Sequence, residues 1–302
     1  MNKTIDQTLQ RVTELLASVS KNEELMGLRG NNVMPSVEAL NELMLQVRSV
    51  VFPGFFDRSA TTERMRPYRI GVDVERIFCS LARQVAFAVA FGCEQDEATS
   101  RSMGQRLAQQ FVDLLPEIRR LLLTDVAAIK ANDPAVTSAG EVVYSYPVVQ
   151  VMLHYRTAHA LHELRVPIIP RIITELAHSA TGIDIHPAAQ IGEYFAIDHG
   201  TGVVIGATSI IGNHVTLYQG VTLGAKNFQH DEQGQLLDVP RHPIIEDNVV
   251  VYSNASILGR ITIGHNSVIG GNVWLDHSVP PHSRIRQGKI NSQPGFTDGA
   301  GI

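Results

Sequence analysis

Residues 191–225 read IGEYFAIDHGTGVVIGATSIIGNHVTLYQGVTLGA, an almost uncharged run that carries an acid–imidazole pair, Asp198-His199, at a glycine-flanked corner. Imidazole titrates near neutral pH, so His199 is suited to take a proton from a hydroxyl while that oxygen attacks a carbonyl carbon. Asp184 precedes it by 15 residues, close to the about 18 residues in one turn of a three-sided coil of six-residue units. On an adjoining coil its carboxylate would orient the ring and stabilise the imidazolium. A third polar group ends the stretch AKNFQHDEQGQLLDVPRH, which is too polar to lie inside a packed core and must leave it as a loop. Its last residues, Arg241-His242, include a planar guanidinium fork that matches a carboxylate.

The scaffold for these groups is written in a period that is neither 3.6 nor 2. Aliphatic residues return every six positions at Ile185, Ile191, Ile197 and Val203, then after Ser209 at Val215 and Val221. They resume as Ile245, Val251, Ile257, Ile263, Ile269 and Leu275, so that 12 of 13 positions are aliphatic, which chance does not produce. A helix would put positions six apart on opposite faces. Three short strands per turn keep them all inside a triangular prism whose coils stack at strand spacing. Glycines such as Gly192, Gly202, Gly206, Gly212, Gly220 and Gly264 are expected at corners that need positive φ.

Before residue 182 the apolar period is helical: Ile5, Leu9, Val12, Leu16; Leu40, Leu43, Met44, Val47; Ile77, Leu81, Val85; Leu107, Phe111, Ile118. LRGNNVMP, FPGFF, FGCEQDEA and KANDPAV break the pattern, and a further helix is expected from about Tyr146 to Leu164, ending at VPIIP. The expected domains are a helical 1–182, a prism over 183–288 with a protruding loop at about 225–243, and a polar tail, 289–302. Lys and Arg number 25 against 30 Asp and Glu, with no long run of one sign, which argues against nucleic acid as the main partner. Cys79 and Cys93 lack C-x-x-C or zinc spacing and read as reduced core residues of an intracellular protein. No apolar stretch reaches membrane-spanning length and the first residues do not resemble a signal peptide, so a cytoplasmic location is expected.

DIHPAAQIG, IDHGTGVVIG, VTLGA and RHPIIEDNV, with NDPAV and HYRTAHAL upstream, resemble the serine O-acetyltransferases of the left-handed β-helix acyltransferases. The resemblance implies an α+β chain with a helical N-terminal domain, a left-handed parallel β-helix, and trimeric packing of prisms that the helical half pairs into a dimer of trimers. It implies acetyl transfer from acetyl-CoA, a co-substrate and not a tightly bound cofactor, to L-serine for cysteine synthesis, with feedback by cysteine at the serine site. It gives His199 and Asp184 the catalytic roles, Arg241 and His242 the substrate carboxylate, Asp133 and Asp198 its ammonium, and Gly224, Ala225, Ser253 and Gly271 the pantetheine arm of CoA. No metal is implied. The chain departs from the family where GAKNF replaces a glycine-rich continuation and where SRIRQGKI replaces the closing G-x-P-A.

The tail ends in Ile302, and serine acetyltransferases can insert such a C-terminal peptide into O-acetylserine sulfhydrylase, so that enzyme is an expected partner. Two other readings share the prism. One is an acetyltransferase for homoserine, a sugar or an antibiotic. The other is a γ-carbonic-anhydrase-like lyase holding zinc between His199, His214 and His242, although an Asp-His pair before a long loop fits a base better than a ligand.

Overall fold

The computed structural model describes residues 3–17, 33–56, 62–92, 96–228, 230–235 and 237–288. Among them are seven helices: α1 (Lys3–Ala17), α2 (Val37–Val51), α3 (Arg66–Gly92), α4 (Glu97–Asn132), α5 (Ala139–Ser145), α6 (Pro147–Glu163) and α7 (Ile169–Thr181). Ser36 caps α2 by accepting the Ala39 N–H at 3.1 Å, which satisfies one of the donors a helix start leaves unpaired. The apolar stripes meet as their spacing requires: Leu40, Leu43 and Val47 of α2 and Ile77, Leu81 and Val85 of α3 are fully buried. Cys79 corrects the sequence reading, because it lies on the outer side of α3 as an exposed free thiol. Its i−4 neighbour Glu75 is exposed on that side too, so the position belongs to the polar stripe. Cys93 lies outside the described residues.

Compact packing divides the chain into two units, residues 1–116 with 160–173, and residues 117–159 with 174–302. Among the described residues of the second are 14 short strands, β1 (Asp184–Ile185), β2 (Gln190–Ile191), β3 (Ala196–Asp198), β4 (Val204–Ile205), β5 (Ile210–Ile211), β6 (Thr216–Tyr218), β7 (Thr222–Gly224), β8 (Ile244–Ile245), β9 (Val250–Val251), β10 (Ser256–Leu258), β11 (Thr262–Ile263), β12 (Val268–Ile269), β13 (Trp274–Leu275) and β14 (Arg284–Ile285). They form three parallel sheets, β1-β4-β7-β10-β13, β2-β5-β8-β11 and β3-β6-β9-β12-β14, so every third strand stacks on the last until β12, on which β14 stacks because an isolated Ile263–Val279 bridge stands where a strand between β13 and β14 would be.

Each six-residue unit buries two side chains: the inward aliphatic residue of the strand, and one two positions earlier at the corner. In the first series stand Ile185, Ile191 and Ile197, in the second Ile183, Ala189 and Phe195, all buried. The register then steps. Asp184 pairs with Val204, 20 residues on, whereas Val204 pairs with Thr222, 18 residues on. Two extra residues therefore sit in the first coil, at the corner 198–202, and the inward series continues as Ile205, Ile211, Leu217 and Leu223. Val203, Ser209, Val215 and Val221 belong to the corner series, and this explains why a serine interrupts the aliphatic run: Ser209 holds the same place as Ser267, and both are buried.

Most corners turn through left-handed backbone at residues other than glycine, including Asn248, Asn254, Asn266 and Asn272 at φ of 57–58°. Asparagine tolerates that region, so positive φ does not account for Gly192, Gly206, Gly212 or Gly264. At the longer corner glycine is needed on both counts, since Gly200 has φ 92° and a Cβ there would run into Ile183. Between β7 and β8 the chain leaves the prism over residues 225–243, as the polarity of that stretch requires. No helix among the described residues is long and apolar enough to cross a membrane. Ile302 lies outside the described residues.

Candidate active site

Helices in the second unit tie the first coil down before the chemistry begins. The buried Arg156 of α6 donates from Nη2 and Nε to the carboxylate of Asp125 in α4 at 3.0 and 3.2 Å. Its Nη1 and Nη2 also donate to the carbonyls of Ile191 and Gly192, both at 2.6 Å. Asp125 in turn accepts the Phe195 N–H at 3.2 Å. Tyr155 donates its hydroxyl to the Ala189 carbonyl at 2.6 Å, and His159 Nδ1 lies 2.8 Å from the Pro187 carbonyl. Tyr155, Arg156 and His159 of HYRTAHAL thus fasten α6 to the carbonyls of Pro187, Ala189, Ile191 and Gly192 in coil one.

Asp198 closes β3 and His199 stands on that corner with φ 58°, its Nε2 3.8 Å from Asp198 Oδ1. The His199 side chain is 73% exposed in the single chain, so a ligand can reach the ring. Asp198 pairs in register with Tyr218, whose ring stacks on Tyr252 at 4.9 Å, giving the acid an aromatic wall. Burial pushes the Tyr218 phenol up, and Tyr252, Asp198 and Asp133 push it the same way.

Asp133 ends α4 at the NDPAV break. One of its carboxylate oxygens accepts the Ala135 N–H at 2.8 Å and the other the Tyr146 hydroxyl at 2.7 Å. The tyrosine bond foremost holds the Asp133 carboxyl below the usual range, with the Ala135 N–H and His199 acting in the same direction. The same bond pushes the phenol up to about 12. Asp133 therefore faces the Asp198-His199 corner as a fixed anion. Tyr146→Phe should raise the Asp133 pKa toward the ordinary carboxylate value, read by carbon-13 NMR titration; an unchanged value would mean the tyrosine does not hold it.

Asp184 opens β1, and its N–H donates to the Val203 carbonyl at 2.9 Å. Its strand stacks on β4, the strand into which the His199 corner leads. The Asp184 carboxylate also converges with Glu175 and His178 of α7, their ligand atoms all within 4.8 Å of one another. No such group unites His199, His214 and His242 among the described residues. His214 instead stacks on Tyr194 at 4.4 Å, and His242 is tied to Thr208.

The loop 225–243 returns at Arg241-His242 beside a small cavity of about 210 Å³ lined by Lys226, Val239, Leu258 and Asp276 among others. Lys226 donates to Asp276 at 2.8 Å, so its charge is engaged within the chain. Burial first, then Arg241, His186 and Arg260, pull the His242 pKa down to about 4, and the ring is neutral at physiological pH. Gly271 lies against Ser253 on neighbouring coils, the Asn272 N–H donating to the Ser253 carbonyl at 2.9 Å, at the corners leading into β13 and β10. Gly224 and Ala225 stand at the C-terminal edge of that sheet, where β7, the neighbour of β10, gives way to the loop. His186 accepts the Ala188 N–H at 3.1 Å, the turn-shaping role its Pro187 neighbour suggests. Tyr146, Tyr218 and Thr208 carry no motif in the sequence; only the fold brings them to these acids and to His242.

A family model described as "Bacterial transferase hexapeptide (six repeats)" matches residues 242–277. The chain is 45% identical over 278 residues to the plasmid serine acetyltransferase of Synechococcus elongatus, an alignment covering 89% of this chain and 86% of that one. It is 41% identical over 166 residues to serine acetyltransferase of Bacillus subtilis, covering 55% of this chain and 73% of that one. Its fold matches serine acetyltransferase isoform 3 of Entamoeba histolytica, solved in complex with cysteine, with TM-score 0.71 and 29% identity over 97% of this chain and 95% of that one. With those likenesses the architecture is a helical N-terminal region followed by a left-handed parallel β-helix of hexapeptide repeats.

Proposed function

Since this chain belongs to the serine acetyltransferase family, we propose that it carries the acetyl group of acetyl-CoA to the hydroxyl of L-serine with the imidazole of His199 as the base. The observation that supports this most directly is the Asp198-His199 pair on a two-residue enlargement of the coil, faced by an Asp133 held ionised by Tyr146. Serine presents an ammonium and a carboxylate on one carbon. Asp133 and Asp198 take the ammonium, and Arg241 and His242 take the carboxylate, which leaves the hydroxyl at His199. The ring removes the hydroxyl proton as the oxygen attacks the thioester carbonyl. When the tetrahedral adduct collapses, the same proton goes from the imidazolium to the departing CoA sulfur. Asp184 orients the ring and stabilises its charged form. No covalent enzyme intermediate is needed. Base catalysis of this kind contributes about 10²–10⁴ in rate, and juxtaposing the two substrates adds more.

Acetyl-CoA lies along the sheet bounded by Gly224 and Ala225 at one end and by Ser253 and Gly271 at the other, where small side chains let a pantetheine arm approach the backbone. Prisms pack as a trimer, or as a dimer of trimers through the helical residues 1–182, which also lend Asp133 to the serine site. O-acetylserine sulfhydrylase is a further partner, engaged through the segment 289–302 in a shared cytoplasmic compartment. Cysteine carries the same two charges as serine with a thiol for the hydroxyl, and a relative was solved with cysteine bound. It therefore acts here as a feedback inhibitor competitive with serine.

Acceptor profiling tests the reading. Purified chain with acetyl-CoA should release CoA thiol with L-serine at a kcat/KM well above that with homoserine or amino sugars. No turnover of serine alongside clear turnover of another acceptor would overturn the substrate assignment.

A further inference from the structure

The end of the loop 225–243 is held by one side chain that no motif announces. Thr208, on the corner before β5, accepts the Arg241 N–H at 2.9 Å and the His242 N–H at 3.0 Å on its single hydroxyl oxygen. That hydroxyl also lies 2.8 Å from His242 Nδ1, and the Thr208 backbone N–H donates to the same Nδ1 at 3.1 Å. A backbone amide can only donate, so Nδ1 carries no proton, and the hydroxyl must donate to it as well. The proton of the neutral ring then sits on Nε2. Below the ring is Gly206, where any Cβ would collide with Cδ2 and Nε2 of His242. From outside, Arg260 donates to the carbonyls of Thr208 at 2.7 Å and His242 at 3.0 Å, closing the clasp. The residue as a whole is 8% accessible.

We propose that Thr208, with Gly206 beneath the ring, is a positioning residue that locks His242 as a neutral Nε2–H donor and fixes Arg241 and His242 for the carboxylate of the acceptor amino acid. This rests on the reading that those two residues bind that carboxylate. The physical argument is one of pre-organisation. A long loop whose closing residues were free would lose rotamer and backbone freedom on each binding event, whereas here the cost is met in folding. The tautomer matters as much. With Nδ1 occupied by two donors, the ring can present only a donor to its ligand, which suits a carboxylate and rejects a cation.

Steady-state kinetics on the full chain separates the clasp from the reading beneath it. Thr208→Val removes three hydrogen bonds while keeping shape, and should raise KM for serine about tenfold, with kcat and KM for acetyl-CoA nearly unchanged. Thr208→Ser, which restores the hydroxyl, should return KM to near the wild-type value. Arg241→Ala and His242→Ala test the carboxylate reading directly: if neither raises KM for serine, that reading fails. If they raise it and Thr208→Val does not, the clasp is overturned while the reading stands. Histidine-selective nitrogen-15 NMR of the wild-type chain needs no variant: an unprotonated Nδ1 and protonated Nε2 in His242 support the lock, and a proton on Nδ1 overturns it.

Discussion

His199→Asn lowers kcat for acetyl transfer to serine by about 10²–10⁴, with the KM of each substrate within severalfold of wild type. Asparagine suits this test because the position has φ 58°, which alanine and glutamine adopt poorly and asparagine adopts readily, as it does at four other corners of the same prism. The fold is thereby kept and the imidazole alone is lost. The amide cannot accept the hydroxyl proton, so the lost stabilisation appears in the transition state and not in binding, and kcat and kcat/KM fall together. Asp184→Asn should also lower kcat, because an amide neither orients the correct tautomer nor stabilises the imidazolium. Retention of kcat within tenfold in His199→Asn would remove the histidine from the chemistry.

The prism was legible because a six-residue period has no other economical packing, and each stacked coil repeats the same burial demand on Ile245, Val251, Ile257 and their successors. What the period hid was its own slip. The two residues added at the corner 198–202 and the later loop together restore the six-residue phase, so Val203 and Val221 read as members of the inward series when they are corner residues. Ser209 was the visible sign, an oddity in one series and ordinary in the other. The DHGTG motif lies on that slip, and the fold departs from its repeat where the candidate base stands. Gly202 and Gly220 have the positive φ expected of them, but others were misread for a related reason: at Gly206 the constraint is the ring of a residue 36 positions away, which no local pattern carries. Tyr146 and Thr208 were invisible on the same ground, because their partners arrive through tertiary folding. Cys79 was misplaced because composition favours burial of cysteine, while its helical phase puts it on the polar side of α3.

Arg156→Met destabilises the second unit by about 3–5 kcal/mol, the largest stability loss expected of any single substitution here. Its side chain and that of Asp125 are 3% and 2% exposed, so water cannot replace what either loses. Four hydrogen bonds leave Arg156, two to the acid and two to the carbonyls of Ile191 and Gly192, and the acid is left buried without its counter-charge. The defect has a pH signature whose sign follows from Asp125. Burial raises the Asp125 pKa, and Arg156 is the chief force against that rise. Without the guanidinium the folded-state pKa climbs further above the unfolded value. Stability in the variant is then fullest below the ordinary carboxylate range, where Asp125 is protonated, and is lost as pH rises through the raised folded value. Denaturant unfolding at pH 5 and pH 8 should therefore show a smaller gap between variant and wild type at the lower pH. Replacing both partners, as Arg156→Met with Asp125→Leu, should recover part of the loss, since no buried charge remains. A gap that does not depend on pH would assign the loss to the two carbonyl bonds instead, and with it the fastening of coil one to α6.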